Sequence, residues 1–217
     1  MTGFMDVANF KKLPILGILR GIELGIIESL VEEIISTGLE TIEITMNTKA
    51  ASDLIRQAVK IAQKRLCVGA GTVLNMDSLK MALDAGATFI VMPVLVDDVM
   101  QYCKKNNIPA FPGALSPQEI YKAWDSGATM VKVFPAKFFG AEYFKEVKAP
   151  FNDIELLACG GVTPENMQDF FDSGASAISF GASVFRQEWL KARNFASIKQ
   201  SISRYVNGFS IKTERVK

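Results

Sequence analysis

The chain has 217 residues, of which 49% are hydrophobic and 22% are charged, so it is long enough for one large core and has an ordinary globular composition. Its formal net charge is +1 and it carries no basic stripe or block of like charges, which argues against nucleic acid or an anionic membrane as a partner. The composition therefore favours a small-molecule partner.

Short β-branched runs alternate with longer amphipathic stretches along the whole chain. The predicted strands are 15–19, 41–45, 66–69, 89–92, 110–111, 130–134, 154–158 and 177–181. The predicted helices are 26–36, 50–63, 78–85, 96–105, 117–126, 141–147, 164–173 and about 195–205. Eight strand–helix units in strict alternation predict an α/β fold, a parallel sheet closed into a (β/α)8 TIM barrel, with an open doubly wound sheet as the alternative.

Several of the predicted helices are followed by the same type of residue. A glycine stands just after the predicted helix at Gly38, Gly86, Gly127 and Gly174, which is typical of a helix C-cap. This recurrence indicates repeated, similar units, and no low-complexity linker interrupts them. We therefore expect a single barrel domain over residues 1–217.

Strand alternation selects three charged residues for the inside of the barrel or its mouth. The isoleucines of strand 41–45 share one face, which leaves Glu43 on the other. The same alternation separates Lys132 from the valines on either side of it, and Arg20 directly follows strand 15–19. Barrel active sites form at the carboxyl ends of the strands, so these residues are candidates for chemistry.

Lys132 lies in an apolar run that reads as a buried strand. Burial disfavours the ammonium form and is expected to lower the pKa of Lys132, and a neutral amine can attack a carbonyl to form a Schiff base. Glu43 would then move protons for that chemistry. The structural alternatives are a snorkelling Lys132 or a buried Glu43–Lys132 salt bridge, which would stabilise the barrel little more than apolar packing does.

The chain contains no histidine, which excludes Ser-His-Asp and Cys-His catalysis and removes the commonest nitrogen ligand for zinc. Its three cysteines are widely spaced and indicate reduced thiols. The first six residues lack the positive region of a signal peptide, and Arg20 interrupts the apolar stretch 14–19. We therefore expect neither secretion nor a membrane span, and a cytoplasmic location.

Two glycine-containing loops follow the last two predicted strands, at 159–166 and 180–183. Glycines let backbone N–H groups approach a ligand. Thr163 followed by Pro164 predicts the N-cap of a helix, and the N-terminus of a helix attracts anions. The loops after strands seven and eight are the usual phosphate site of a TIM barrel, so a phosphate site is predicted here.

Two further features need an interpretation. The run 69–74 (GAGTVL) lacks the third glycine of a dinucleotide fingerprint, so we reject that function for it. A tight turn that presents Thr72 to the mouth is the preferred interpretation, with a structural role for Thr72 as the alternative. Cys159 is most simply a small packing residue.

Six short runs occur in order along nearly the whole chain. They are ILRG at 18–21, EITMN at 43–47, GAGTV at 69–73, PG at 112–113, KVFP at 132–135 and GGVTPEN at 160–166. Their order and spacing resemble the class I 2-keto-3-deoxy-6-phosphogluconate, 2-keto-3-deoxy-6-phosphogalactonate and 4-hydroxy-2-oxoglutarate aldolase family. The co-occurrence of the runs is far more specific than any one of them.

The resemblance implies a homotrimeric barrel without metal or organic cofactor. It implies that Lys132 forms an imine with pyruvate and that Glu43 is the general acid and base. The implied substrate contacts are the carboxylate holders Arg20 and Thr72, the pocket walls Pro93 and Phe134, the phosphate site Gly160, Gly161, Gly181 and Ser183, and Cys159, which stands where a threonine is often found.

The chain also departs from the gluconate-specific pattern. Asn47 stands where some members carry arginine, which shifts the carboxylate contact to Arg20, and Met92 replaces a serine. The combination of Arg20 and Asn47 resembles the phosphogalactonate branch of the family. The sugar epimer stays open.

The activity that the resemblance implies is reversible cleavage of a 2-keto-3-deoxy-6-phospho sugar acid to pyruvate and glyceraldehyde 3-phosphate. Cleavage of 4-hydroxy-2-oxoglutarate to pyruvate and glyoxylate would use the same site. The alternatives are another phosphate-binding barrel, such as an isomerase, an epimerase or a thiamine-phosphate-synthase-like enzyme, a metal-dependent pyruvate aldolase, and a non-catalytic phosphosugar-binding protein.

Overall fold

The computed structural model describes residues 3–215 of the chain, with side chains described through residue 209. Within them, nine parallel strands form one sheet in the order β5-β4-β3-β2-β1-β9-β8-β7-β6. The strands are β1 Ile15–Leu19, β2 Thr41–Thr45, β3 Cys67–Gly71, β4 Ile90–Val91, β5 Ala110–Phe111, β6 Gly113–Ala114, β7 Val131–Val133, β8 Leu156–Cys159 and β9 Ala177–Phe180.

Helices connect the strands and surround the sheet. They are α1 Val7–Phe10, α2 Ile27–Ser36, α3 Ala51–Ala62, α4 Met76–Asp84, α5 Asp97–Lys105, α6 Pro117–Asp125, α7 Glu142–Lys148, α8 Met167–Asp172, α9 Gln187–Lys191 and α10 Phe195–Arg215. Two short 3-10 turns lie at Leu24–Ile26 and Ala136–Phe138. No helix within residues 3–215 is long and apolar enough to cross a membrane.

The predicted fifth strand, 110–111, is present as β5, and a short strand that was not predicted, β6, follows it. β5 pairs with β4, β6 pairs with β7, and only Pro112 separates β5 from β6 in the chain. Proline has no N–H to donate to the ladder, and its carbonyl accepts from the Lys132 N–H at 2.9 Å. The nine strands thus occupy eight positions around a ring, and the predicted (β/α)8 barrel is confirmed.

The predicted strand faces are confirmed as well. Ile42 and Ile44 belong to the core between the sheet and its helices, as do the valines that flank Lys132. The four predicted cap glycines all have positive φ, at 81° for Gly38, 97° for Gly86, 99° for Gly127 and 96° for Gly174. A positive φ at a helix end favours glycine because it has no Cβ.

An apolar plug fills the part of the barrel interior nearest the amino ends of the strands. Its largest members are Met5, Phe10, Leu16, Phe89, Phe111, Met130 and Leu157. Helix α1, which the sequence did not predict, carries Phe10, whose ring lies edge-on to Phe111 with centroids 6.0 Å apart. The Asp6 carboxylate caps α1 by accepting from the Ala8 N–H at 2.9 Å.

Candidate active site

A pocket of about 620 Å³ opens at the carboxyl ends of the strands, a size that suits a small organic ligand. Every residue predicted for the site except Glu43 lines it: Arg20, Thr72, Pro93, Lys132, Phe134, Cys159, Gly160, Gly161, Gly181 and Ser183. Glu43 lies beneath this lining, with its side chain 1% exposed. The chain therefore gathers in one place residues that are up to 163 positions apart, from Arg20 to Ser183.

Two opposite charges meet at the base of the pocket. Lys132 Nζ, on β7, lies 3.9 Å from Glu43 Oε1, on β2, and the Lys132 side chain is 8% exposed. Glu43 Oε2 is buried and has no hydrogen-bond partner among the described residues. A buried carboxylate oxygen without a partner is costly to fold, so it is a candidate for contact with a ligand.

The charges in this pair shift each other's proton affinity. Burial raises the pKa of the Glu43 carboxyl, and the positive charges of Lys132 and Arg20 oppose that rise. Burial also acts to lower the pKa of the Lys132 amine, but Glu43 and Cys159 raise it, and the balance lies above the ordinary value. The lowered pKa predicted for Lys132 was wrong, because the approach of Glu43 to within 3.9 Å of the amine cannot be predicted from a local pattern.

Gly71 makes room for the Glu43 carboxyl. A Cβ on Gly71, the last residue of β3, would lie 2.3 Å from Glu43 Oε1. Such a contact is far inside van der Waals distance, so any side chain here would displace the carboxyl. Gly71 belongs to the GAGTV run at 69–73, and its role as a spacer emerges only from the structure.

Arg20 and Thr72 meet at one wall of the pocket. Arg20 Nη2 donates to Thr72 Oγ1 at 3.3 Å. Thr72 has φ +56°, a left-handed conformation that is rare for a β-branched residue and costs about 1–3 kcal/mol. The predicted turn that presents Thr72 to the mouth is present, and its backbone strain is of the kind found at ligand sites.

The remaining walls are apolar or neutral. Lys132 Nζ lies 5.6 Å from the centre of the Phe134 ring, within range of a cation–π contact. Phe134 is 42% exposed, so its outer edge is available to a ligand. The Pro93 carbonyl would lie 2.1 Å from a Cβ on Gly113, so Gly113 lets the Pro93 wall approach β6.

The two glycine-containing loops converge on the side of the pocket formed by β8 and β9. Gly160 and Gly161 have φ values of +92° and +84°. The N–H groups of Gly161, Ala182 and Ser183 donate no hydrogen bond to any residue that the structure describes. Clustered free backbone donors attract anions, so this side of the pocket suits a phosphate.

The predicted helix N-cap at Thr163 was wrong. Helix α8 begins at Met167 and its N-cap is Asn166. The Asn166 side chain reaches back, accepting from the Thr163 N–H at 2.7 Å and donating to the Gly161 carbonyl at 3.0 Å. These bonds hold a turn before the helix, so Asn166 supports the glycine loop from below.

Sequence reasoning missed two polar residues of the pocket lining, Ser179 and Gln187. Strand alternation could have found Ser179, because it lies two residues before Gly181 on the same face of β9. Gln187 begins α9, which the sequence did not predict, so no signal pointed to it. Among residues 3–215, no group of three or more His, Cys, Asp or Glu side chains is placed to hold a metal ion.

Known proteins share both the sequence and the fold. A profile of the KDPG and KHG aldolase family matches residues 7–201. The chain is 32% identical over 176 residues to the 2-dehydro-3-deoxy-6-phosphogalactonate aldolase of Escherichia coli strain K12, covering 81% of this chain and 86% of that protein. This chain belongs to the KDPG and KHG aldolase family.

Other members of the KDPG and KHG aldolase family are similarly close. The 2-dehydro-3-deoxy-phosphogluconate aldolase of Haemophilus influenzae is 30% identical over 166 residues, which cover 76% of this chain and 77% of that protein. A solved native KDPGal structure superposes with a TM-score of 0.87 at 27% identity, covering 98% of this chain and all of that one. The chain is accordingly an aldolase, a lyase of carbohydrate metabolism.

Proposed function

We propose that this aldolase works through a Schiff base on Lys132, cleaving a 2-keto-3-deoxy-6-phospho sugar acid to pyruvate and glyceraldehyde 3-phosphate. The observation that carries the proposal is the buried Lys132–Glu43 pair, with Nζ and Oε1 3.9 Å apart at the base of the pocket. An amine nucleophile beside a carboxylate is the pairing that imine chemistry requires.

The first steps form the imine. The Lys132 ammonium passes a proton to the Glu43 carboxylate. The amine then attacks C2 of the keto acid, and a second proton moves from the nitrogen to the C2 oxygen to give a carbinolamine. Glu43 donates a proton to the departing hydroxyl, so that water leaves and a protonated imine remains. The raised pKa of the Glu43 carboxyl suits this donor role, because the carboxyl then holds its proton at a higher pH than an exposed glutamate.

Carbon–carbon cleavage follows. Glu43, now a carboxylate, removes the proton of the C4 hydroxyl through a water molecule, and the C3–C4 electron pair moves to the protonated imine. The products are the aldehyde and a neutral enamine, which is protonated at C3. Water then hydrolyses the protonated imine, releasing pyruvate and returning Lys132 as the ammonium.

The rest of the pocket supports a substrate with an anion at each end. The Arg20 guanidinium and Thr72 hydroxyl would hold the carboxylate, consistent with Arg20 lining the pocket while Asn47 is exposed outside it. Gly160, Gly161, Gly181 and Ser183 would hold the phosphate through backbone donors. Pro93, Phe134 and Cys159 would enclose the chain between them.

Borohydride trapping tests the imine. Incubation with pyruvate and borohydride should attach a reduced pyruvyl group to the peptide that contains Lys132. Lys132→Met should form no adduct, and Lys145→Met, which removes an exposed lysine of α7, should behave as the parent. A folded parent protein without an adduct on Lys132 would sink the imine mechanism.

A substrate panel tests the specificity. Pyruvate release should be measured with the phosphogluconate and phosphogalactonate epimers and with 4-hydroxy-2-oxoglutarate. The Arg20 and Asn47 combination leads us to expect activity on the galactonate epimer, with the other two as the comparison. Affinity for these acids without any pyruvate release would instead indicate a binding protein.

We further propose a single-domain homotrimer that acts in the cytoplasm. Large apolar side chains are exposed around the mouth, including Phe138 at 71%, Phe139 at 54% and Val94 at 53%, as expected of a surface covered by another subunit. The three cysteines are free thiols, which suits a reducing compartment. Light scattering should give the mass of three chains, and a monomer at micromolar concentration would contradict the trimer.

A further inference from the structure

One peptide group at the mouth is held from both sides. The carbonyl of Arg20 accepts from Gln187 Nε2 at 3.1 Å. The N–H of Gly21, the other half of the same peptide group, donates to Thr48 Oγ1 at 3.0 Å. Because the two bonds act at opposite edges of one plane, they fix the orientation of the backbone from which the Arg20 side chain starts.

The Thr48 side of this arrangement is rigid. Thr48 is 6% exposed, and its hydroxyl shares a hydrogen bond of 2.9 Å with the hydroxyl of Thr45, which is fully buried at the end of β2. The Thr48 N–H also donates to the Thr45 carbonyl at 2.9 Å. The anchor for the Gly21 N–H is therefore tied to the strand that carries Glu43.

The Gln187 side ties the same peptide group to the opposite loop. Gln187 is the first residue of α9 and follows the segment that contains Gly181 and Ser183. Gly21 has φ +65°, and a Cβ on it would lie 3.1 Å from Gln187 Nε2. Glycine at this position therefore allows both the turn and the close approach of the Gln187 amide.

A fixed backbone matters for Arg20 because its side chain is long and exposed. Ordering such a side chain costs rotamer entropy, and any freedom in the backbone beneath it adds to that cost. The guanidinium lies against Thr72 Oγ1, and its charge acts on the proton affinity of both Glu43 and Lys132.

We propose that Thr48 and Gln187 are positioning residues that hold the Arg20–Gly21 peptide group so that the guanidinium meets the carboxylate of the keto acid. The proposal rests on the proposed function, since it takes the ligand of Arg20 to be that carboxylate. Thr48 is buried, and Gln187 lines the pocket with its amide bonded to the Arg20 carbonyl, so both residues act through Arg20.

Variants of the threonine pair test the Thr48 half. Thr48→Val removes the acceptor for the Gly21 N–H at nearly constant side-chain volume. Loss of one such hydrogen bond should raise KM about tenfold, and the pyruvate concentration for half-maximal trapping by the same factor. The value of kcat should change less than about threefold. Thr48→Ser keeps the hydroxyl and should stay within about twofold of the parent. Thr45→Val is the matched comparison: it removes the support of the Thr48 hydroxyl but leaves the acceptor for Gly21, so it should raise KM less than Thr48→Val does.

A double-mutant cycle separates positioning from a general structural role. In an Arg20→Gln background, Thr48→Val should raise KM no further, because the residue it positions is gone. An equal rise in both backgrounds, or a Thr48→Val variant that matches the parent, would overturn the proposal. If Thr48→Val does not fold, Gln187→Leu applies the same test from the other edge of the peptide group.

The outcomes also separate this proposal from the imine mechanism. A parent protein that traps pyruvate on Lys132 supports the proposed function whatever the variants do. Variants with unchanged half-saturation would then overturn the positioning role alone, whereas a parent that forms no adduct overturns both.

Discussion

The two ends of the barrel interior are built from the same strands for opposite purposes. Gly69 and Gly71 point inward from β3, two residues apart. A Cβ on Gly69 would lie 2.4 Å from the ring of Phe89, in the apolar plug, whereas a Cβ on Gly71 would lie 2.3 Å from the Glu43 carboxyl. Each glycine makes room for a larger group, but one group packs and the other is charged.

The difference shows where stability and chemistry are separated along a strand. The plug buries aromatic rings edge-on, such as Phe89 and Phe111 with centroids 5.8 Å apart, and contributes stability through apolar burial. The mouth buries a charge pair and a carboxylate oxygen that has no hydrogen-bond partner in the described part of the chain. A buried charge pair gains little stability over apolar packing. The plug therefore supplies stability that the mouth does not.

The largest effect is expected at Glu43. Glu43→Gln removes the proposed acid and base, and turnover should fall about 10²- to 10⁴-fold. Lys132 then loses the charge that raises its pKa, so its amine should deprotonate more readily, and pyruvate trapping after long incubation should persist. The measurement is kcat beside the final yield of adduct.

The pH profile sharpens this prediction. Because burial raises the pKa of the Glu43 carboxyl, the carboxylate form is lost at a higher pH than for an exposed glutamate. Turnover of the parent should therefore decline early as the pH falls, and the Glu43→Gln variant should lack that decline. An unchanged acid limb in Glu43→Gln would assign the titration to another group.

A variant of the plug should have the opposite effect: it should lose stability and keep its turnover. Phe10→Ala removes a buried ring of α1 that packs on Phe111, and should lower the free energy of unfolding by about 3–5 kcal/mol. Turnover by the folded fraction should stay near that of the parent at low temperature. Denaturant unfolding and kcat should be measured on one preparation. A fall in kcat of the folded protein would show that the plug also affects the active site.

The contrast between plug and mouth was partly readable in the sequence. Period-two alternation placed Glu43 and Lys132 on the inner face, and glycine-containing loops after the last strands indicated the anion side. These patterns are local, so one sequence suffices to read them.

The unpredicted features depend on distances between segments far apart in the chain. The 3.9 Å approach of Glu43 to Lys132 reverses the expected pKa shift of the lysine, and no local pattern encodes it. Helix α1 has four residues, too few for a periodic signal, and Gln187 reaches Arg20 across 167 positions. The predicted Thr163 cap was wrong because residues 163–166 form a turn in which the Asn166 side chain accepts from the Thr163 N–H, and α8 begins only after it.

The paired glycines give the most direct test of the comparison. Gly69→Ala should cost about 1–3 kcal/mol of stability, because the Phe89 ring has little room to move, and turnover by the folded protein should persist. Gly71→Ala should cost less stability, since the Glu43 carboxyl can rotate away from the added Cβ. Turnover should fall, because the carboxyl then leaves its place beside Lys132. If Gly71→Ala lost stability and kept its turnover, the division between plug and mouth would fail.

The smallest effect is expected in a mouth loop whose polar residues serve the fold. Ser116 caps α6: its hydroxyl accepts from the Glu119 N–H at 3.3 Å, while Glu119 Oε2 accepts from the Ser116 N–H at 2.8 Å. Ser116→Ala should lower stability by about 1 kcal/mol without changing KM. Asn75→Ala, at the similar cap of α4, is the matched control. A raised KM in Ser116→Ala alone would mean that the catalytic part of the mouth extends to this loop. Whether a polar residue serves the reaction would then depend more on its position at the carboxyl end of a strand than on its burial.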